Sequence, residues 1–262
     1  METINTMDIQ LLRVSGVTVQ YGGVRAIDAV SFDVLVGELL GLIGPNGAGK
    51  TTMLRAITGV VRPNEGSVVL GGITLDNLSI DRRIRMGLAL SQQLVRPFRE
   101  ISVIDNVALA AGYRKTLSPF KALVNVSRRQ ELQVARQMLE RVGIAEYADD
   151  NPAVQPLGVL KRLEVARALA LNPRLLLLDE PLAGLNSQEA GALADTIVDI
   201  NRQGVTIVMI EHNLGEIIRI CQRLVVLDNG RVIAEGEPRA VMHLPAVRAA
   251  YLGCEAEAQA AG

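Results

Sequence analysis

The strongest constraint on this chain lies in one stretch. An apolar run, Leu39-Leu40-Gly41-Leu42-Ile43, leads into Gly44-Pro45-Asn46-Gly47-Ala48-Gly49-Lys50-Thr51-Thr52, and Met53-Leu54-Arg55-Ala56-Ile57 follows. The stretch reads as strand, glycine loop, helix. In that context a Gly-x-x-x-x-Gly-Lys-Thr string wraps phosphate with backbone N–H groups and points a helix N-terminus at it. Gly44, Gly47 and Gly49 permit positive φ and close backbone approach, Lys50 can reach the outer phosphates, and the Thr51 hydroxyl is placed to ligate Mg²⁺. The whole segment, with Pro45, Asn46, Ala48 and Thr52, is therefore a candidate nucleoside-triphosphate site.

Composition narrows the partners. The chain has 262 residues, 49% of them hydrophobic, which is ample for a sizeable core. Its 27 basic and 28 acidic residues leave a net charge of −1, and only 3% are aromatic. Such a chain has neither the field nor the stacking platforms that nucleic acid requires. Cys221 and Cys254 are far apart with no C-x-x-C spacing, which argues against zinc or a disulfide framework and fits a reducing cytosol. The first residues lack the basic and apolar segments of a signal peptide, and no apolar run approaches a membrane span. Any membrane role must go through a partner.

Along the chain, residues 9–20 alternate weakly and end at Tyr21-Gly22-Gly23, and Ala29–Val36 alternates again, which suggests an antiparallel sheet beside the loop strand. Ser67–Gly72 and Gly87–Ser91 read as further strands, with a short basic helix over Ile80–Met86. From 94 to about 156 the β-branched runs disappear, and helical spacing appears in Val103-Ile104-Val107-Ala108-Ala111 and in Leu132-Ala135-Met138-Leu139-Val142. This is an inserted helical subdomain, with a basic, Pro-containing connector over 113–121 that reads as a solvated loop. Leu160–Leu171 is amphipathic. Leu175–Leu178 and Val205–Ile210 are continuous apolar strands of the kind buried on both faces, ending in Asp179-Glu180 and Glu211-His212. Asn229-Gly230 marks a hairpin, and Cys254–Gly262 reads as a frayed tail. Alternating buried strands and helices indicate an α/β fold with a largely parallel sheet.

The carboxylates after Leu178 complement the phosphate loop. Asp179 can hold Mg²⁺ through its waters, and Glu180 can polarise an attacking water. With Pro181-Leu182-Ala183-Gly184-Leu185-Asn186 after them and His212 closing the next strand, the chain resembles the nucleotide-binding subunits of ABC transporters over nearly its whole length. Gly44–Thr52 looks like Walker A, Leu175–Glu180 like Walker B, Ala183–Asn186 like the D-loop and His212 like the switch histidine. Tyr21 is similar in position to the aromatic that stacks on adenine. Gln93 looks like the Q-loop glutamine, which would sense Mg²⁺ and the γ-phosphate, although Gln92 beside it leaves the register open by one.

The resemblance implies a P-loop NTPase (RecA-like) core of α/β class with an antiparallel β subdomain and an inserted α-helical subdomain. The core would take about 8–93 and 157–240, the helical subdomain about 94–156, and a C-terminal helix and tail 241–262. It also implies ATP and Mg²⁺ as cofactors, with Glu180, His212 and Gln93 as catalytic groups and Thr51, Gln93 and Asp179 around the metal. Ala183-Gly184-Leu185-Asn186 and the Tyr251-Leu252-Gly253 close are similar to the branched-chain amino-acid importer (LivG-like) branch. That branch implies a place on the cytoplasmic face of the membrane, beneath two permease subunits and beside a second ATPase, with a substrate-binding protein acting indirectly. No Asn-Lys-x-Asp guanine reader supports a GTPase, and no lid or substrate pocket supports a small-molecule kinase. A soluble regulatory ABC protein, or an importer for another small solute, remains the alternative. The departure from the family is the signature: where Leu-Ser-(Gly/Tyr)-Gly-Gln is expected the chain has Gln155-Pro156-Leu157-Gly158-Val159, and Gly158 alone is retained as a nucleotide-contacting candidate. A partner with an intact signature then fits a heterodimer, while a homodimer would carry two weak sites.

Overall fold

A computed structural model of the chain describes residues 9–91, 97–113 and 128–260, with side chains described as far as Leu252. Two sheets organise it. The first is antiparallel, in the order β2-β1-β4-β5, from β1 (Gln10–Tyr21), β2 (Val24–Leu35), β4 (Glu65–Leu70) and β5 (Ile73–Thr74). The second runs β10-β9-β3-β8-β7-β6, from β3 (Leu39–Ile43), β6 (Leu88–Ser91), β7 (Leu175–Asp179), β8 (Thr206–Ile210), β9 (Arg223–Asp228) and β10 (Arg231–Gly236). Its pairs are parallel except for the β9–β10 hairpin. All five residues of each of β3, β7 and β8 are buried, as strands covered on both faces must be.

The helices are α1 (Lys50–Thr58), α2 (Ile80–Arg85), α3 (Val103–Gly112), α4 (Arg129–Arg141), α5 (Leu157–Ala170), α6 (Ser187–Arg202), α7 (Leu214–Ile220), α8 (Pro238–Met242) and α9 (Pro245–Ala260). Leu40, Leu42, Leu175 and Leu177 face one core with α1 and the antiparallel sheet. Leu39, Ile43, Leu176 and Leu178 face the other, with α3 to α6. Among the described residues no helix is long and apolar enough to cross a membrane.

Several elements differ from their sequence reading. β2 begins at Val24 rather than Ala29, because register shifts in its pairing with β1 interrupt the alternation that marks a strand. α5 starts at Leu157 rather than Leu160, directly after Pro156, whose restricted φ suits a helix entry. The tail read as frayed is helical to Ala260, consistent with the high helix propensity of its Ala, Glu and Gln residues. Most of the 113–121 connector lies outside the described residues. Asn229 and Gly230 both adopt positive φ, 44° and 76°, as the hairpin signal requires.

Two arginines fasten the layers. Arg223 on β9 makes a bidentate pair with the buried Glu38, with Nε–Oε1 at 2.7 Å and Nη2–Oε2 at 2.9 Å, and Glu38 also accepts the Leu35 N–H. Arg83 on α2, 3% exposed, donates to four backbone carbonyls: Ala56 (2.9 Å) and Ile57 (2.8 Å) at the end of α1, and Leu75 (2.8 Å) and Leu78 (3.1 Å). Those carbonyls stand at a helix end and in a loop, where Ala56 and Leu75 also accept the N–H groups of Gly59 and Leu78, and a charged donor strengthens the set. Arg83→Met should therefore lower stability by about 3 kcal/mol. For a chain of this size that is a fall in Tm of roughly 6 to 12 °C, readable by circular dichroism on the purified chain.

Candidate active site

The loop between β3 and α1 folds as its glycines require. At Gly44 a Cβ would sit 2.0 Å from the Leu227 carbonyl oxygen, and at Gly49, the N-cap of α1 with φ 99°, it would sit 2.5 Å from that of Ala26. No side chain caps α1, so its first N–H groups are open to an anion. Lys50 is buried, and its Nζ donates to the carbonyls of Gly44 (2.7 Å) and Pro45 (2.9 Å), which holds the ammonium against the loop. Ala26, Asn46, Gly47, Gly49, Lys50, Thr51, Thr52, Glu180 and His212 line one cleft of about 240 Å³. Here lie the residues of three strand ends, those of β3, β7 and β8. In an open parallel sheet, ligands bind at the carboxyl ends of the strands.

At the end of β7, Asp179 is 9% exposed, and its Oδ1 has no hydrogen-bond partner among the described residues. Burial, and then the neighbouring Glu180 charge, push its carboxyl above the usual range, while Arg55, Lys50 and His212 oppose that shift. A buried carboxylate oxygen without a hydrogen-bond partner, next in sequence to a residue lining the cleft, is a fitting donor for a hydrated divalent cation. Glu180 adopts φ 51°, a left-handed conformation sparsely populated by residues other than glycine, and its N–H is anchored to the Ile210 carbonyl at 2.9 Å. The turn carries its carboxylate to His212, with Oε1 and Nε2 2.9 Å apart.

Glu211 is the residue whose role sequence reasoning missed. It is 3% exposed and accepts the N–H groups of Leu182 (2.5 Å) and His212 (3.1 Å), so it stitches the loop after β7 to the one after β8. Burial pushes its carboxyl up, and those N–H groups pull it back. The available signal was the parallel with Asp179-Glu180: a carboxylate ending a fully apolar strand.

Not every candidate joins the cleft. Tyr21, half exposed at the end of β1, and Gly158, on the first turn of α5, are not among the residues that line it. Gly158 instead lines a hollow of about 490 Å³ with Pro156, Asn186 and Glu189. Gln93 and Gln92 lie outside the described residues.

A phosphate loop, a strand-end Asp-Glu pair and a histidine on the adjacent strand define a nucleotide-binding ATPase core. A sequence profile of the ABC transporter family matches residues 27–183, and the chain belongs to that family. It is 36% identical over 253 residues to the Salmonella typhimurium high-affinity branched-chain amino acid transport ATP-binding protein LivG, covering 94% of this chain and 99% of LivG. It is 31% identical over 245 residues to the Haemophilus influenzae lipopolysaccharide export system ATP-binding protein LptB, covering 94% of this chain and 98% of LptB. Among solved structures, the ADP conformation of the ATP-binding cassette MJ1267 superposes with a TM-score of 0.83 at 28% identity, covering 94% of this chain and 99% of that one. The expected fold and the ATPase class are thus borne out.

If Glu180 is the general base, Glu180→Gln should retain ATP binding while lowering turnover on the order of 10²- to 10⁴-fold. Steady-state phosphate release, with a nucleotide-binding titration beside it, checks this, and near-normal turnover would remove Glu180 from that role.

Proposed function

We propose that the chain is the ATP-hydrolysing subunit of an importer for branched-chain or related amino acids, held at the cytoplasmic face of the membrane by two permease subunits. The observation that carries the reading is the cleft where Lys50, Thr51, Glu180 and His212 meet. LivG and the Pseudomonas aeruginosa protein BraF, 34% identical over 254 residues, supply the amino-acid inference. Lys50 and the N–H groups at the start of α1 bind and orient the triphosphate. Thr51 and Asp179 would hold Mg²⁺, with Gln93 as a further contact, and the ion when bound supplies charge neutralisation at the phosphates. Glu180 orients and deprotonates the attacking water, and His212 fixes the Glu180 carboxylate.

An apolar groove of about 400 Å³ between the core and α5, lined in part by Val60, Ile80, Ile84 and Leu171 with Glu164 and Arg167 at its side, is a fitting seat for a permease segment. Deleting the gene for this chain should abolish uptake of labelled leucine, isoleucine or valine, and the wild-type chain, but not Lys50→Ala, should restore it. Unchanged uptake of all three, with co-purification of a different permease, would redirect the substrate assignment while leaving the ATPase in place.

The departure in the signature bears on the partner. Pro156 is the N-cap of α5 and contributes no side-chain hydrogen bond, so the hydroxyl that the family presents to the opposite nucleotide is missing. A charge-assisted contact of that kind is typically worth about 1.5 to 3 kcal/mol. We infer a second ATPase with an intact signature, which completes the site over this chain's Lys50 and Glu180 and leaves the reciprocal site slow. In the purified complex Glu180→Gln should then remove most hydrolysis, disabling the partner's matching glutamate should spare most of it, and Pro156→Ser should speed the slow site. Equal loss from either glutamate, with no gain from Pro156→Ser, would overturn the asymmetry.

A further inference from the structure

Among the described residues, the buried cation Lys161 has no part in the scheme above. Lys161 lies on α5, three residues beyond Gly158, and is 5% exposed. Its Nζ donates to the backbone carbonyl of Glu180 at 2.9 Å. The carboxylates acting on it are Glu211 first, then Glu180, Asp179 and Glu164, and they oppose the burial that pushes its ammonium below the usual lysine range.

The geometry is specific. Glu180 occupies a left-handed turn between its N–H, tied to Ile210, and its carbonyl, tied to Lys161. Both peptide groups flanking its Cα are thus anchored from outside the loop. Across the same space, Glu211 holds the backbone of Leu182 and His212. Lys161 therefore stands between the residue that carries the base and the carboxylate that sets the histidine turn. As a packing device this is a poor choice, because buried charges typically stabilise no better than apolar side chains of similar volume. As a way of fixing orientation it is apt: the Glu180 carbonyl also accepts the Ala183 N–H at 3.3 Å, a bond local to the turn, so removing the ammonium takes away the carbonyl's anchor to α5.

We propose that Lys161 is a positioning residue for hydrolysis, which fixes the Glu180 turn against the Glu211–His212 segment and so links the seating of the α5 N-terminus to the aim of the base. The proposal rests on the reading of Glu180 given above. A small displacement of α5 moves the Lys161 ammonium relative to the Glu180 carbonyl, and a misplaced base loses rate without losing nucleotide.

The test uses the full chain purified with its membrane partners, comparing Lys161→Met, Lys161→Arg and Glu180→Gln with the parent. Lys161→Met should lower kcat about tenfold or more, with KM for ATP and the affinity for a fluorescent ATP analogue held within about twofold. Lys161→Arg, which keeps the charge and an N–H donor, should recover at least about half of the parent kcat. A Lys161→Met enzyme with parental kcat, a loss that appears in KM rather than kcat, or a failure of arginine to rescue would overturn the proposal. If Lys161→Met does not fold, Lys161→Ala decides: it removes the donor to the carbonyl while leaving room for water, and parental kcat there would also overturn it. Glu180→Gln separates the two readings. Parental turnover in that variant removes the base and this proposal together, whereas an inactive Glu180→Gln beside a normal Lys161→Met removes only the second.

Discussion

Chemistry in this chain depends on placing charge at the ends of strands that are buried along their whole length. β3, β7 and β8 are buried along their entire length, so the first residues after them are the earliest positions where polar groups can stand without disrupting a core. Those positions hold the glycine loop, Glu180 and Glu211-His212, with Asp179 as the last residue of β7. Because the three strands are parallel and adjacent in the order β3-β8-β7, the ends lie side by side. Register does the positioning: Asp179 pairs with Ile210, which brings the residues after each strand face to face.

The charges so placed are not individually comfortable. Asp179 and Glu211 are both pushed toward the neutral form by burial, and Lys161 toward its own neutral form. Opposite charge and backbone N–H groups offset those shifts, so the cluster is held together by mutual compensation rather than by solvent. The consequence is rigidity where catalysis needs it. Glu180 keeps a conformation that costs on the order of 1 to 3 kcal/mol because its neighbours leave it no better one.

Legibility followed the range of the interaction. The glycine loop, the apolar strands and Asn229-Gly230 were readable because each is specified locally: positive φ, unbroken apolar runs and a turn that needs two left-handed residues. β2 before Ala29 was not, because its strand character comes from pairing with β1 across irregular register rather than from alternation. Arg83 lies in a short basic helix and Lys161 in Lys161-Arg162, and neither local pattern marks its residue as buried. Their partners are carbonyls distant in sequence, those of Ala56 and Ile57 for Arg83 and that of Glu180 for Lys161. A backbone carbonyl has no side-chain signature, so no sequence pattern reports such a contact. The tail misled in the opposite direction, since low complexity suggested fraying while its Ala and Glu residues suit a helix.

The signature illustrates how a departure in sequence can leave geometry standing. Replacing serine by Pro156 removes a hydroxyl, yet the first hydrogen bond of the helix still forms, from the Leu160 N–H to the Pro156 carbonyl at 3.1 Å. α5 thus begins in good order with no side chain capping its first N–H groups, and Val154 and Leu157 are exposed beside it. An uncapped N-terminus retains its attraction for an anion. What it lacks is the hydroxyl, and with it a directional contact that distinguishes one arrangement of phosphate from another. On the role proposed for this segment, binding needs less from it than catalysis does, because attraction to charge survives loose placement and transition-state stabilisation does not.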